Sequence, residues 1–451
     1  MGTTFNKGGI HPAENKTAAD IEDVELPNEV TLLLSQHIGA PAKAAVSKGD
    51  RVRRGDMVAT ACGVVSACVH TPISGVVTKV DRSLTPYGYM ADSITVKADE
   101  ADHCDDEVRR KNVEPCRSID ELDGLDGERI RAMVADAGIV GLGGAAFPTH
   151  VKLAVPKGLK ADVLIVNGAE CEPYLTADDA IMRLCPDEIM GGIKLLMRAV
   201  DVKRAIVGIE ENKPDAIVAM KRAAACCGVD VTVVPLKVKY PQGGEKQLIF
   251  ALTGREVPSG GLPVSVGAVV QNVATARAVY RAALYGEPLM ERVVTVAGTA
   301  RPGNYRVPVG MGINELLKVA GGIPADTGKI VIGGPMMGKA IETIYAPLTK
   351  GSSGILVILE REASRQAVMP CIRCGACVEA CPMGLEPYLI STLSRFRMFD
   401  EAEEQKVTNC IECGSCSYVC PAARPLLDYV RYGKATVAER IRQRKKKCED
   451  K

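Results

Sequence analysis

Cys371-Ile-Arg-Cys374-Gly-Ala-Cys377-Val-Glu-Ala-Cys381-Pro382 is the stretch that decides one domain of this 451-residue chain. The same spacing returns in Cys410-Ile-Glu-Cys413-Gly-Ser-Cys416-Ser-Tyr-Val-Cys420-Pro421. Both runs have the form C-x2-C-x2-C-x3-C-P. In this form three thiolates of one tight loop bind the irons of one cubane, while the fourth cysteine ligates the other cluster. The two runs therefore predict a domain with two 4Fe–4S clusters.

The crossed pairing assigns four ligands to each cluster. The first set is Cys371, Cys374, Cys377 and Cys420, and the second set is Cys410, Cys413, Cys416 and Cys381. Zinc and disulfides are the competing interpretations. Zinc sites use four ligands, commonly in two CxxC pairs rather than two runs of four, and disulfides contradict a reducing compartment. Between the runs, residues 383–409 have apolar side chains at helical spacing, which favours a helical dicluster ferredoxin domain.

Composition excludes several classes of protein. Hydrophobic residues make up 47% and charged residues 25%, which are the values of a folded globular chain. The charges almost cancel at +1 and the chain has no Trp, so the sequence argues against nucleic-acid binding. No uninterrupted apolar run is long enough for a transmembrane helix, and residues 1–16 lack the apolar core of a signal peptide. We therefore expect a cytoplasmic location.

Residues 26–99, which follow an arm at 1–25, contain short apolar runs separated by Gly, Pro and Asp. The stretches 46–58 and 71–80 each predict a turn flanked by strands. This module resembles the barrel-sandwich fold of biotinyl and lipoyl carriers, which present a modifiable Lys at a hairpin tip. The corresponding turn here, Ser66-Ala-Cys-Val-His70, has no Lys. The module is therefore expected to be structural.

Residues 119–290 alternate strands with helices, which predicts an α/β domain with a mainly parallel sheet. Its most distinctive stretch is a loop with four glycines between 138 and 144. Glycines let the backbone approach a ligand closely, and free amides in such a loop cradle a phosphate. Phe147 would add an apolar surface and Lys152 a countercharge.

Four segments of this domain together resemble the flavin and NADH site of the diaphorase subunit of respiratory complex I. They are Gly143-Gly-Ala-Ala-Phe-Pro-Thr149, Val166-Asn-Gly-Ala-Glu-Cys-Glu-Pro173, Tyr240-Pro-Gln-Gly-Gly-Glu245 and Val270-Gln-Asn-Val-Ala-Thr275. Residues 291–345 resemble the soluble-ligand-binding (SLBB) β-grasp domain that follows in the same family. Two positions depart from the diaphorase pattern: Ala169 stands in place of an Asp, and Gly244 replaces the first Glu of a Glu-Glu pair.

The resemblance implies a role for each matching residue. Gly141, Gly143, Gly144 and Lys152 would surround the FMN phosphate and ribityl chain. Asn167, Glu170, Tyr240, Gly243, Asn272 and Thr275 would surround the flavin. Phe147, Glu172 and Glu245 would lie beside the nicotinamide nucleotide.

Taken whole, the chain resembles the family of C subunits of the Rnf complex, an ion-translocating ferredoxin:NAD+ oxidoreductase. The resemblance implies FMN, NAD(H) as substrate, two 4Fe–4S clusters, and peripheral association with other Rnf membrane and ferredoxin-like subunits on the cytoplasmic face. A soluble reductase of the cobalamin-reductase type and a non-catalytic electron relay or scaffold are the alternatives. The predicted segments are an arm at 1–25, a barrel-sandwich module at 26–99, an FMN/NAD(H) domain at 119–290, a β-grasp domain at 291–345, a ferredoxin domain at 365–430 and a basic tail at 431–451.

Overall fold

The barrel-sandwich module consists of two small sheets that face each other across an apolar core. The structure, a computed structural model, describes residues 2–111 and 115–449. One sheet has the order β2-β8-β7-β4 and the other β3-β5-β6. The strands of these sheets are β2 Glu29–Leu33, β3 Lys43–Ala44, β4 Arg51–Val52, β5 Met57–Thr60, β6 Val69–His70, β7 Gly75–Leu84 and β8 Met90–Lys97. The arm before them contains β1, Ile21–Asp23.

The turn that carries the modified Lys in carrier proteins is covered here. Ser66 and His70, at its two ends, are buried, and the carbonyl of Cys68 accepts a hydrogen bond of 2.6 Å from the buried amine of Lys350. A covered turn cannot swing between active sites, which agrees with a structural role for the module.

The charged composition of residues 100–118 predicts a linker between the two neighbouring domains. These residues contain α1, Glu100–Lys111, in which Asp106 is buried and accepts hydrogen bonds from the amide and hydroxyl of Ser74. The prediction of a linker is wrong over α1 because one buried carboxylate ties the charged helix to the barrel-sandwich module.

The α/β domain has four parallel strands in the order β11-β10-β9-β12, with apolar cores on both faces. Since β10 and β11 follow β9 on one side and β12 lies on the other, the topology switches between β9 and β12. Open α/β sheets bind ligands at the carboxyl edge beside such a switch. The elements are α2 Ile119–Asp123, α3 Gly127–Asp136, α4 Thr149–Leu153, β9 Val163–Gly168, α5 Ala177–Leu184, α6 Pro186–Ala199, β10 Arg204–Glu210, α7 Pro214–Cys226, β11 Asp230–Leu236, α8 Glu245–Thr253, β12 Ala268–Asn272 and α9 Val273–Tyr285.

Local signals explain why two of these helices start where they do. α6 begins with Pro186 at its first turn, followed by Asp187 and Glu188, which suit the positive end of a helix. α9 begins after Asn272, whose side-chain oxygen accepts from the amides of Ala274 and Thr275. This cap fixes Asn272 at the carboxyl end of β12.

The next domain is a six-stranded sheet with the order β1-β14-β13-β17-β15-β16. It takes β1 from the arm and continues past the predicted boundary at 345, because β17 is an apolar strand that pairs with both β13 and β15. The elements are β13 Glu291–Ala297, β14 Gly303–Pro308, α10 Ile313–Val319, β15 Thr327–Ile332, β16 Lys339–Ala340, β17 Gly354–Leu359 and α11 Glu360–Ala363.

The elements around the cysteine runs are helices, which confirms the helical character predicted for this region. They are α12 Ala376–Glu379, α13 Pro387–Arg395, α14 Phe399–Glu404, α15 Ser415–Tyr418 and α16 Leu426–Glu449. The core between α13, α14 and α16 includes Ile390, Phe399 and Val430. Within the part of the chain that the structure describes, no helix is long and apolar enough to cross a membrane.

Candidate functional site

The structure brings the eight cysteines together in two groups of four. One cavity, of about 470 Å³, is lined by the thiols of the first set, with Arg373, Tyr388 and Arg424 among its other walls. A much tighter cavity, of about 20 Å³, is lined by the thiols of the second set and by apolar side chains such as Leu385 and Leu427. Each group therefore combines three cysteines of one run with the last cysteine of the other. This donor chemistry, four thiols from crossed loops, fits a 4Fe–4S cluster.

The environments of the two sets differ. Cys371 and Cys374 of the first set are exposed, whereas Cys413 of the second set is only 7% exposed. A backbone amide at Arg373 lowers the pKa of the Cys371 thiol. Burial instead raises the pKa of Cys416 to about 12. The first set therefore has two cysteines open to solvent, Cys371 and Cys374, whereas no cysteine of the second set is exposed.

A glycine allows the second set to approach the six-stranded sheet domain closely. Gly414 has φ +79°, and a Cβ there would lie 2.8 Å from the carbonyl oxygen of Met336. Only glycine combines that backbone conformation with so close a contact. The loop that carries Cys413 and Cys416 is thereby pressed against the turn that follows β15.

The predicted flavin residues meet at the switch point of the parallel sheet. Asn167, near the end of β9, is paired in register with Asn272, at the end of β12. The side-chain amide of Asn167 donates to the carbonyl of Gly243 at 2.9 Å, and the hydroxyl of Thr275 accepts from the amide of Leu142 at 2.9 Å. These bonds bring the glycine loop and residue 243 to one crevice.

The glycine loop leaves room in front of its backbone. A Cβ on Gly143 would lie 3.5 Å from the side chain of Asn272, and a Cβ on Gly144 would meet no atom within 4 Å. Gly144 has φ +126°, a conformation that side chains rarely permit. Gly141 completes the loop by donating its amide to the carbonyl of Phe147 at 2.7 Å. A cradle of open glycine backbone beside two Asn side chains fits a phosphorylated flavin.

Lys152 and Glu245 form an ion pair of 2.5 Å at this domain, with about a third of each side chain exposed. Glu245 is the first residue of α8, where the positive end of the helix favours a carboxylate. Phe147, which is partly exposed, belongs to the same loop as Gly144. These three side chains remain accessible from solvent, as a substrate site requires.

Glu170 and Glu172 are both engaged by backbone amides. The carboxylate of Glu170 accepts from Asp178 at 2.7 Å and from Asp179 at 3.1 Å, at the start of α5. The carboxylate of Glu172 accepts from Met336 at 3.0 Å and from Met337 at 2.9 Å. Burial raises the pKa of Glu172, and these donors counteract part of that shift.

Tyr240 joins the α/β domain to the second set. Its ring is 2% exposed, and its hydroxyl donates to the carbonyl of Cys413 at 2.8 Å and lies 3.3 Å from Glu172. Tyr240, Cys413, Ile10 and Ala380 form one buried apolar cluster. One predicted flavin residue therefore contacts the backbone of one predicted cluster ligand.

Sequence reasoning missed two charged residues near this crevice, Asp178, which is partly buried, and Lys213, which is buried. Asp178 accepts a hydrogen bond of 2.7 Å from the side chain of Asn272, and burial raises its pKa to about 7. Lys213 donates to the carbonyl of Ala169 at 2.7 Å and lies 3.4 Å from the carboxylate of Glu210. In the sequence, Asp178 follows the matched segment 166–173 and Lys213 follows the strand that ends at Glu210. Polar residues at these positions lie near the carboxyl edge of a parallel sheet, where ligands bind.

Three protein-family models match the chain. They are the RnfC barrel sandwich hybrid domain over residues 4–101, the Nuo51 FMN-binding domain over 134–281 and the 4Fe–4S dicluster domain over 364–421. The C subunit of the Na(+)-translocating ferredoxin:NAD(+) oxidoreductase complex of Acetobacterium woodii is 41% identical over 449 residues, covering 98% of both chains. This chain belongs to the same RnfC family. The predicted family and the coarse fold, with an FMN-binding domain and a dicluster domain, are thus confirmed.

Other members of the RnfC family show similar agreement. The C subunit of the proton-translocating ferredoxin:NAD(+) oxidoreductase complex of Clostridium ljungdahlii is 42% identical over 400 residues, which is 88% of this chain and 85% of that protein. The C subunit of the ion-translocating oxidoreductase complex of Rhodobacter capsulatus is 42% identical over 389 residues, which is 85% of this chain and 73% of that protein.

Among solved structures, a chain of an NAD+-reducing [NiFe]-hydrogenase in the H2-reduced state matches with a TM-score of 0.48 and 22% identity, over 69% of this chain and 63% of that one.

Proposed function

We propose that this chain is the NAD(H)-reactive subunit of a membrane-bound complex that couples electron transfer between ferredoxin and NAD+ to translocation of Na+ or H+. The relatives are named for that reaction. The observation that carries the proposal is the hydrogen bond from Tyr240 to the carbonyl of Cys413, because it joins the predicted flavin crevice to the second set of thiols.

The route of electrons follows from the order of the sites. The flavin crevice adjoins the second set through the cluster that contains Tyr240 and Cys413. The second set adjoins the first because Cys381 lies on the same run as Cys377 and because α12 contacts α15. The first set, with Cys371 and Cys374 exposed, faces solvent. We infer that electrons pass between the crevice and a partner protein through the second set and then the first.

At the crevice, Gly141, Gly143 and Gly144 offer room and amides for the FMN phosphate. The walls around the flavin are held by the hydrogen bonds of Asn167, Glu170, Tyr240, Gly243, Asn272 and Thr275. A bound flavin supplies the exchange of a hydride for two single electrons, which a cluster alone cannot perform.

The nicotinamide nucleotide is assigned to the accessible side of the crevice. Phe147 would pack against a ring, and Lys152 would leave Glu245 to pair with a phosphate or carboxamide. The carboxylate of Glu172 already has two amide donors. Its proposed contribution is therefore a fixed negative charge beside the nicotinamide, rather than a direct hydrogen bond.

Association with the membrane is assigned to contacts with other Rnf subunits on the cytoplasmic face, including ferredoxin-like subunits. The six-stranded sheet after residue 290 is assigned to the SLBB β-grasp type and would serve as one such contact. The basic tail, residues 431–451, is a second candidate for attachment to the membrane. Arg440 and Arg444 of the tail pair with Asp400 and Glu403 of α14, at 3.2 and 2.5 Å, which reduces the charge they offer to anionic lipid.

Anaerobic purification with quantitation of iron, sulfide and FMN, followed by titration with NADH, tests the proposal. We expect about eight irons and one FMN per chain, with bleaching of the flavin and then of the clusters. Protein that holds both clusters but neither binds FMN nor reacts with NADH would be an electron relay or scaffold, and would refute the proposal. Recovery of the native protein in the soluble fraction of the cell, without membrane subunits, would favour the soluble reductase.

A further inference from the structure

We propose that the arm at residues 2–16 is a positioning element that holds the second cysteine set against the flavin-site loops, and that Gly8 and Gly9 are the point of contact. The inference rests on the proposed function above. Its basis is that one short segment touches the parallel sheet, a cluster ligand and the loop that carries Glu170 and Glu172.

The arm is first joined to the edge of the parallel sheet. Thr3 forms a parallel bridge with Leu236, the last residue of β11, and Ile10 forms an antiparallel bridge with Tyr240. The amides and carbonyls of Ile10 and Tyr240 exchange two hydrogen bonds of 2.9 Å. Between these bridges Phe5 is 3% exposed. The arm therefore extends the sheet in a defined register.

The arm next reaches the second set. The amide of Gly9 donates to the carbonyl of Ala380 at 3.0 Å, directly before Cys381. Gly8 has φ +62°, and a Cβ there would lie 2.5 Å from the carbonyl carbon and oxygen of Cys381. Contact becomes ordinary only at 3.4 Å. Any side chain at residue 8 would thus overlap the backbone of a cluster ligand by about 0.9 Å and push the two apart.

The arm then holds the loop between β9 and α5. The carbonyl of Glu14 accepts from the amide of Tyr174 at 2.8 Å. The amine of Lys16 donates to the carbonyls of Leu175, at 2.8 Å, and of Glu170. Because Glu170 and Tyr174 flank Glu172 along the chain, the arm fixes the backbone of the proposed flavin loop before and after Glu172.

These contacts make the arm a direct link between flavin loop and cluster. The covalent path from the flavin domain to the second set runs through the β-grasp domain, residues 291–359, and cannot by itself fix a distance across the crevice. The arm contacts both sides within nine residues, from Gly8 to Lys16. A shift of the second set away from the crevice lengthens the distance that an electron must cross, and the rate of electron transfer falls as that distance grows.

Two matched pairs of variants test the inference. Gly8→Ala is compared with Gly228→Ala, which has φ +72° and open space for a Cβ. Gly9→Ala is compared with Gly158→Ala, since the two glycines have φ +89° and +87°, but a Cβ at residue 9 would lie 2.8 Å from Phe5 whereas residue 158 is open. Each control thus carries the same backbone strain without the contact.

Rapid mixing of each purified variant with NADH separates the two steps, and the electron paramagnetic resonance (EPR) signals of the two reduced clusters supply a readout besides activity. We expect unchanged flavin reduction, cluster reduction slowed severalfold in Gly8→Ala and less in Gly9→Ala, and an altered signal confined to the second cluster. Normal cluster reduction and signals in both arm variants would overturn the inference. So would equal defects in the control variants. Parent protein whose flavin does not react with NADH would instead refute the proposed function.

Discussion

The first and second cysteine sets share one spacing but have opposite environments. In the first set Cys371 and Cys374 are exposed around a cavity of about 470 Å³. In the second set Cys413 is 7% exposed and its cavity is about 20 Å³. Two residues outside the ferredoxin domain, Tyr240 and Met336, pack against the second set. The spacing thus determines which cysteines meet, while packing determines which set lies against the predicted flavin crevice and which set is open to solvent.

The largest expected difference is between one substitution in each set. Cys374→Ala should lose only the first cluster and leave about four irons per chain. Cys413→Ala should lose the second cluster. It should also weaken the junction, meaning the contacts among Glu172, Tyr240, Met336 and Cys413. The midpoint of thermal unfolding should therefore fall further than in Cys374→Ala. Iron and sulfide analysis with thermal unfolding measures both effects. Equal midpoints for the two variants would show that the second set does not support the junction.

The glycine loop offers a change that spares both sets. Gly144→Val places a side chain in the open space in front of the loop, at φ +126°. We expect both clusters to remain, FMN to be lost and NADH oxidation to stop, because the side chain takes the place of the phosphate. Flavin fluorescence after release from the protein gives the FMN content. Gly158→Val, at φ +87° in open space, is the control for backbone strain alone. Stoichiometric FMN in Gly144→Val would mean that the phosphate binds elsewhere.

Exposure should make the first cluster the more fragile one. An oxidant or an iron chelator reaches Cys371 and Cys374 from solvent, whereas the second set is enclosed by apolar side chains. During timed exposure to air we expect the signal of the first cluster to decay well before that of the second. Comparison with Cys374→Ala identifies the signals. Simultaneous decay would contradict the difference in burial.

Glu172→Gln is the subtlest test of the junction. FMN should remain while NADH affinity or flavin reduction by NADH falls, because the negative charge is lost. Burial raises the pKa of Glu172 in the folded chain, so the folded chain keeps a proton at pH values where the unfolded chain has lost it. Its stabilising contribution is therefore present at lower pH and lost as the pH rises through the raised pKa.

Thermal unfolding measures this pH dependence. The midpoint of the parent should fall relative to Glu172→Gln as the pH rises above the ordinary carboxyl value of 4.5 and through the raised pKa. Glu170→Gln, at a neighbouring carboxylate that accepts amides of α5 instead, is the matched comparison. A parallel pH dependence in the parent and Glu172→Gln would show that the carboxylate is already ionised throughout this range.

Local patterns made much of this fold predictable. The alternation of helices and strands predicted for residues 119–290 is observed, for example in the helix Pro186–Ala199 and the strand Arg204–Glu210. It was predictable because apolar periodicity is encoded within each segment itself. The crossed cysteine groups followed from spacing alone. The continuation of the six-stranded sheet to β17 did not, since that strand is separated from its partner β13 by almost sixty residues.

The junction could not be predicted for a related reason. Glu172, Tyr240 and Met336 lie in three segments of two domains, and no periodicity relates one to another. Likewise Lys16 becomes buried only because the arm crosses the loop after β9. Contacts between distant segments depend on the final packing of whole domains. The family resemblance supplied roles for Glu172 and Tyr240 without supplying their partners, and it assigned no role to Met336 or Lys16.

Reduction of the two clusters by NADH in the single-set variants tests the central claim, that electrons from the flavin reach the first set only through the second. Each variant is mixed with NADH without oxygen, and rapid freezing with EPR follows each cluster. We expect Cys374→Ala to reduce its second cluster at the parent rate. We also expect Cys413→Ala to keep the first cluster oxidised while its flavin is reduced. Reduction of the first cluster at the parent rate in Cys413→Ala would contradict the claim.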